Sequence, residues 1–227
     1  MVDVDFSCAC MSVREINSAL RDLPDGTTVR ITEPRGCHNL AVGLTNKIFI
    51  TIEGNAGYFI GGLCDGPEVT VNGFVGWSVG ENLMSGVVRV HGNASESSAA
   101  SAHGGLVVIE GDASSRAGIS LKGGTLCVAG SVGHMSGFMA QAGILFVGGD
   151  AQGSLGDSLY EAVIYVGGKL SSLGADTKVE DLGEDDVSIL KDLVARTGFD
   201  HVNLEDVTKV VSAKTLYNFD ALKDQKY

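Results

Sequence analysis

Apolar positions along this chain follow two superimposed periods. Over a few residues they alternate, as in Val69-Thr70-Val71 and Val88-Arg89-Val90. Alternate residues of an extended chain point to one face, so each such run predicts a short, half-buried β-strand. Over longer distances the runs return every nineteen residues. Gly54, Gly73, Gly92, Gly111, Gly130, Gly149 and Gly168 keep that spacing without a miss. Four residues before them stand Ile50, Val69, Val88, Val107, Leu126, Leu145 and Ile164, and two before stand Ile52, Val71, Val90, Ile109, Val128, Val147 and Val166. Two residues after come Ala56, Val75, Ala94, Ala113, Val132, Ala151 and Leu170. Ten after come Cys64, Leu83, Ala102, Leu121, Ala140 and Leu159.

A unit of this length cannot bury the apolar face of its own strand, but stacked copies can. With neighbouring strands about 4.8 Å apart, seven coils make a rod roughly 30 Å long. The pattern therefore predicts a parallel β-helix whose apolar columns form inward ladders. The recurrent glycines then occupy bends, where φ is positive or backbones approach closely. The same reading removes the nucleotide-loop interpretation of the G-x-x-G strings. A dinucleotide fingerprint needs a strand, one glycine-rich turn and then a helix, whereas here each turn leads to small residues and another strand.

The flanks read differently. Ser12-Val13-Arg14-Glu15 is a capping box, Ile16, Ala19, Leu20 and Leu23 follow at helical spacing, and Pro24-Asp25-Gly26 closes the segment,. Val29 to Ile31 then begins an irregular first coil in which Gly36 is one residue out of phase. After Leu173 the repeat stops. Glu184, Asp185 and Asp186 suit a helix N-terminus, Val187, Leu190, Leu193 and Val194 form a stripe, and Gly198 suits its end,. The expected organisation is an N-terminal helix and cap over 1–28, a β-helix over 29–175 and a helical C-terminal cap over 176–227.

Charge sharpens this division. Residues 50–175 hold ten acids, four bases and 27 of the 32 glycines, whereas 176–227 hold twelve acids and seven bases. In the later coils, the outward position three before each glycine is Val108, Cys127, Phe146 and Tyr165, an apolar row that the C-terminal segment or another subunit must cover,. A sizeable protein interface is expected. The net charge of −12 argues against nucleic acid or an anionic membrane as partner,.

Candidate chemistry is sparse. Cys8, Cys10, Cys37, Cys64 and Cys127 are an odd, scattered set that reads as reduced thiols in a cytoplasmic protein, and the Cys8-x-Cys10 pair lacks companions for a metal site,. No apolar run reaches the roughly 18 residues of a membrane span, and the opening stretch has no basic and apolar signal regions,. Among His38, His91, His103, His134 and His201 no two share a ladder column, no H-x-x-H occurs, and no G-x-S-x-G nucleophile elbow sits between a strand and a helix,. Tyr58 and Trp77, each four residues after a ladder glycine, can stack as neighbours on one wall, and a packing role is the reading taken for them. No catalytic, cofactor-binding or metal-binding residue is assigned. The seven ladder glycines are assigned a structural role.

The glycine coils resemble the GXGXG domain that ends the large subunit of glutamate synthase. RGCHNLAVGL, ENLMSGVVRVHGNAS, HGGLVVIEGDASSRAGIS, GSVGHMSGFMAQ, LGDSLYEAVIYVGG, SLGAD and KTLYNF are similar to the small GXGXG subunit of the N-methylglutamate synthase family. The resemblance spans about Arg14 to Phe219, and its least specific part is the acidic stretch near 180–210. It implies a right-handed helix and a scaffold role. The implied partners are a glutamine amidotransferase-like subunit and a synthase-like subunit carrying FMN and an iron–sulfur cluster. The implied reaction of the assembly is conversion of glutamate and methylamine to N-methylglutamate and ammonia. Glutamate synthase itself and formylmethanofuran dehydrogenase have β-helical parts of the same kind, and these remain alternatives. A stand-alone acyltransferase would use left-handed coils of eighteen residues, a sub-period this chain lacks.

Overall fold

The computed structural model describes residues 2–214. It is a parallel β-solenoid flanked by two helices. Strand β1 (Val4–Ser7) precedes helix α1 (Val13–Arg21), and β2 (Thr28–Thr32) follows it. The coil strands are β3 (Phe49–Glu53), β4 (Asp65–Val71), β5 (Ser85–Val90), β6 (Leu106–Ile109), β7 (Lys122–Val128), β8 (Ala142–Val147) and β9 (Val163–Val166). Strands β1 to β9 run parallel in chain order.

Register follows the columns read from the sequence. Ile50 pairs with Val69, Val69 with Val88, Val88 with Val107, Val107 with Leu126, Leu126 with Leu145 and Leu145 with Ile164. A second, one-residue ladder joins Val75, Ala94, Ala113, Val132, Ala151 and Leu170. The inward columns are buried in one continuous core, with Leu170 only partly covered. The first coil departs from the repeat, because Val29 pairs with Ile50, two residues beyond the nineteen-residue step.

Each ladder glycine after the first meets the backbone of the coil below. A Cβ built on Gly73 would lie 2.6 Å from both Asn55 Oδ1 and the Gly54 carbonyl carbon. On Gly92 it would lie 2.8 Å from the Gly73 oxygen, and on Gly149 2.7 Å from the Gly130 carbonyl carbon. Close approach is therefore the constraint at six of the seven positions. Only Gly54 has a positive φ, +121°. Most left-handed residues lie elsewhere, as an alternating trio such as Arg116, Gly118 and Ser120 with φ of 58°, 71° and 52°, followed in several coils by a glycine such as Gly124 with φ of 68°.

The N-terminal helix is an end cap. Ser12 Oγ accepts from Glu15 N at 3.3 Å while Ser12 N donates to Glu15 Oε2 at 2.8 Å, completing the capping box,. Ile16 and Leu20 enter the core. Asn17 Nδ2 donates to Asn39 O at 2.6 Å and its Oδ1 accepts from Ala41 N at 2.8 Å, satisfying backbone groups that have no coil below them,. Sequence periodicity predicted this helix but not β1 in front of it. Strand β1 adds a parallel rung through Val4↔Val29 and its neighbours.

The C-terminal segment is more than a helical cap. Helix α2 (Glu184–Thr197) ends at Gly198 with φ +79°, as its sequence signals predict. It is bracketed by β10 (Thr177–Glu180) and β11 (Thr208–Ser212). Strand β11 pairs antiparallel with β9, Val210 opposite Ile164, and β10 pairs antiparallel with β11. The returning chain thus occupies the open edge of the last coil, and Val210 closes the apolar column. Tyr217, Phe219 and most of the KTLYNF string lie outside the described residues.

Substituting Gly111 by alanine tests the close-approach constraint, since the new Cβ would overlap Asn93 Oδ1 and sit 2.9 Å from the Gly92 carbonyl carbon and oxygen. The expected loss is about 2–3 kcal/mol. G183A, whose Cβ would meet only Asp186 Oδ2 at 3.4 Å, should change stability by less than about 1 kcal/mol. Urea unfolding midpoints of the two variants check the difference.

Candidate functional site

The wall of the solenoid presents two unlike halves. On the later coils Leu106, Val108, Cys127, Phe146 and Tyr165 face outward and form a second core with Leu190, Leu193, Phe199 and Val207. Helix α2 and the chain after it therefore cover the apolar row that the sequence singled out. The cover is held at both ends by polar contacts. At the N-terminus of α2, Tyr165 OH donates to Asp186 Oδ1 at 2.5 Å, and Gly183 N and Lys209 Nζ donate to Asp186 Oδ2 at 2.7 and 2.9 Å. At its C-terminus, Arg89 donates to the carbonyls of Arg196 and Thr197 at 3.1 and 3.4 Å, and also to Glu110 at 3.0 Å. A guanidinium there complements the negative end of the helix dipole.

These contacts displace ionisation. Burial pushes the Tyr165 phenol up, as do its hydrogen bond to Asp186 and that residue's charge. Burial also opposes ionisation of Asp186, but the hydrogen bonds from Tyr165, Gly183 and Lys209 outweigh it and hold the carboxyl below its ordinary range.

Among the described residues the earlier coils carry no such cover. Phe49, Tyr58, Leu63, Phe74, Trp77 and Met84 are all exposed, Trp77 at 63% and Phe74 at 55%. His38, Tyr58, Trp77 and Glu96 ascend one column of the wall. Asn39 N bonds to Tyr58 O, Phe59 N to Trp77 O and Ser78 N to Glu96 O, at 2.9, 2.7 and 2.9 Å. In place of a stack on Trp77, Tyr58 stacks on His38, with ring centroids 3.8 Å apart, and its backbone N donates to His38 Nδ1 at 3.1 Å. The irregular first coil puts His38 directly beneath Tyr58, so that face of the ring is taken. Between Tyr58 and Trp77 the column opens into a cleft of about 520 Å³ lined by Asn39, Tyr58, Phe59, Trp77 and Ser78.

Apart from Cys8 and Cys37, whose thiols lie within hydrogen-bond reach of each other, the other singled-out residues are dispersed. His91 bonds Glu110 Oε2 at 2.6 Å on the outer face, and His201 contacts Ala129 O at 3.0 Å beside a cleft lined by Glu110, Thr197 and Phe199. The five cysteines are free thiols. Cys64 is buried in the inner core and Cys127 in the outer one, so these two cannot share a site. Among the described residues no three His, Cys, Asp or Glu side chains are placed to hold a metal ion, and the thiols do not fit an iron–sulfur cluster,. No helix among the described residues is long and apolar enough to cross a membrane.

A sequence reading missed a polar ladder one residue after five of the seven ladder glycines. Asn55 Oδ1 accepts from Phe74 N, Asn93 Oδ1 from Asp112 N, Asp112 Oδ1 from Ser131 N, Ser131 Oγ from Asp150 N and Asp150 Oδ1 from Lys169 N, at 2.7 to 3.2 Å. Its signal was the recurrence of Asn, Asp and Ser in that position. These side chains also touch the ladder glycines above them, so they are structural.

Fold and surface together define a parallel β-solenoid whose chemistry lies on its outer wall. A stretch of 64 residues is 41% identical to Protein GlxC of Rhizobium meliloti (strain 1021). That stretch is 27% of this chain and spans only 28% of that protein. No family model matches the chain.

The Tyr165–Asp186–Lys209 anchor makes α2 docking pH-dependent. A lowered carboxyl contributes stability that is present above its ordinary value, about 3.9, and lost as pH falls through its folded value; a raised phenol contributes stability that is present below about 10 and lost as pH rises. D186N should weaken docking by about 2 kcal/mol near neutral pH. It should also remove the acid dependence below pH 4. Amide hydrogen exchange of residues 184–197 measured against pH checks both effects.

Proposed function

We propose that this chain is a non-catalytic scaffold subunit of a glutamate synthase-like flavoenzyme complex, and specifically of an N-methylglutamate synthase. The observation that carries the scaffold reading is the division of the wall. One half is sealed by the chain's own C-terminal segment, while the other leaves six large apolar side chains open on neighbouring coils among the described residues,. Such a surface suits subunit contact, and the charge-poor solenoid beneath it supplies rigidity. The partial likeness to Protein GlxC and the sequence strings set out above support the family assignment. In this reading FMN and the iron–sulfur cluster reside on a synthase-like partner, and an amidotransferase-like partner completes the assembly. The SLGAD string supports the same reading from the C-terminal end of the rod. Its Asp176 pairs with Lys214, the first residue of KTLYNF, at 2.5 Å.

Purification of the chain from its native cells should bring along a yellow flavoprotein and an amidotransferase-like chain. The complex should form N-methylglutamate from glutamate and methylamine with release of ammonia, and the isolated chain should not. Recovery of the chain alone overturns the proposal, and molybdenum- or tungsten-containing partners would redirect it to the formylmethanofuran dehydrogenase alternative.

A further inference from the structure

We infer that the cleft between Tyr58 and Trp77 is a binding site for a cationic side chain, an arginine carried by a partner protein. The inference deepens the scaffold reading and, as regards the partner, rests on it. Three observations point to a cation. First, the cleft is walled by aromatic faces. Tyr58 is covered on one side by His38, while Phe59 and Trp77 line the opening. A guanidinium stacked on Trp or Tyr is attracted by the ring quadrupole, most strongly at Trp. Secondly, the next residue up the same column is Glu96, which is exposed and has no ion-pair partner among the described residues. A carboxylate one rung above an aromatic face can accept the guanidinium N–H groups while the rings hold its plane.

Thirdly, charge around the site is predominantly acidic. Residues 33–96 carry Glu33, Glu53, Asp65, Glu68, Glu81 and Glu96 against Lys47, Arg89 and Arg35, the last of which pairs with Glu33. Arg89 is turned away to Glu110 and the end of α2. The lining adds two polar side chains, Asn39 and Ser78, and neither makes a side-chain hydrogen bond among the described residues. Both can accept an N–H from an inserted group. An aliphatic occupant would gain nothing from these acceptors or from Glu96, whereas an arginine can bond to them and cover the rings with its methylene stem.

Trp77 is the chain's only tryptophan, so its fluorescence reports on the cleft directly. Titration of the full chain with the peptide acetyl-Gly-Arg-Gly-amide should give a saturable change in Trp77 emission that weakens with salt. The citrulline peptide, nearly isosteric and neutral, should bind at least about fivefold more weakly. E96Q and Y58L should each weaken the arginine peptide by about three- to tenfold without shifting the urea midpoint, because both positions are on the surface. Equal binding of the arginine and citrulline peptides, no saturable change, or indifference to both substitutions overturns the inference. The assembly experiment separates it from the scaffold reading. A chain that purifies alone yet binds the arginine peptide selectively removes the scaffold and keeps the cation site. A complex that assembles unchanged with W77A and E96Q, alongside a failed titration, removes the cation site and keeps the scaffold.

Discussion

The direct stacking of glycine on glycine governs this structure. At six rungs the Cα of a ladder glycine lies against the carbonyl of the glycine beneath it, with no room for a methyl group. That approach lets backbone bonds pass from coil to coil, as in Gly111 N to Gly92 O, Gly130 N to Gly111 O and Gly149 N to Gly130 O, at 3.1, 3.0 and 2.9 Å. The residue after five of the seven ladder glycines can then reach the next backbone with a short polar side chain. The corner is therefore held from both sides, by contact and by hydrogen bonds, and every other column is kept in phase with it.

A wall built this way separates packing from recognition. Inward columns accept only apolar residues of limited size, and the corners accept small residues or those tolerant of left-handed backbone. Chemistry is left to the outer positions, which differ from coil to coil. In the later coils the outer row is apolar and α2 lies on it, fastened at Asp186 and Arg89. In the earlier coils the corresponding positions are Thr51 and Thr70, which offer α2 no apolar seat. Tyr58, Phe74 and Trp77 lie outside the strands there and face solvent. The covered half and the open half are thus two outcomes of one repeat with different outer residues.

Much of this was legible in the sequence. The nineteen-residue spacing named the columns and their register, because a stacked strand must pair with its copy one coil away. The outer apolar row was visible for the same reason, and so were both helices, through the capping box at Ser12 and Glu15 and the Gly198 terminus. The cleft was only half legible. Tyr58 and Trp77 share a column, but the first coil is irregular, and only its folded path decides that His38 takes one face of Tyr58 and leaves Trp77 open.

The chain's own order of residues determined the repeat, the inward ladders and the places where no side chain fits, since these depend on local periodicity repeated many times. Tertiary structure alone decided what happens where the period fails: the antiparallel return of β11 onto β9, the seating of α2 on Val108 through Tyr165, and the gap beside Trp77. Those contacts join residues far apart in the chain and occur once each. No recurrence announces them, and they exist only when the backbone has brought their partners together.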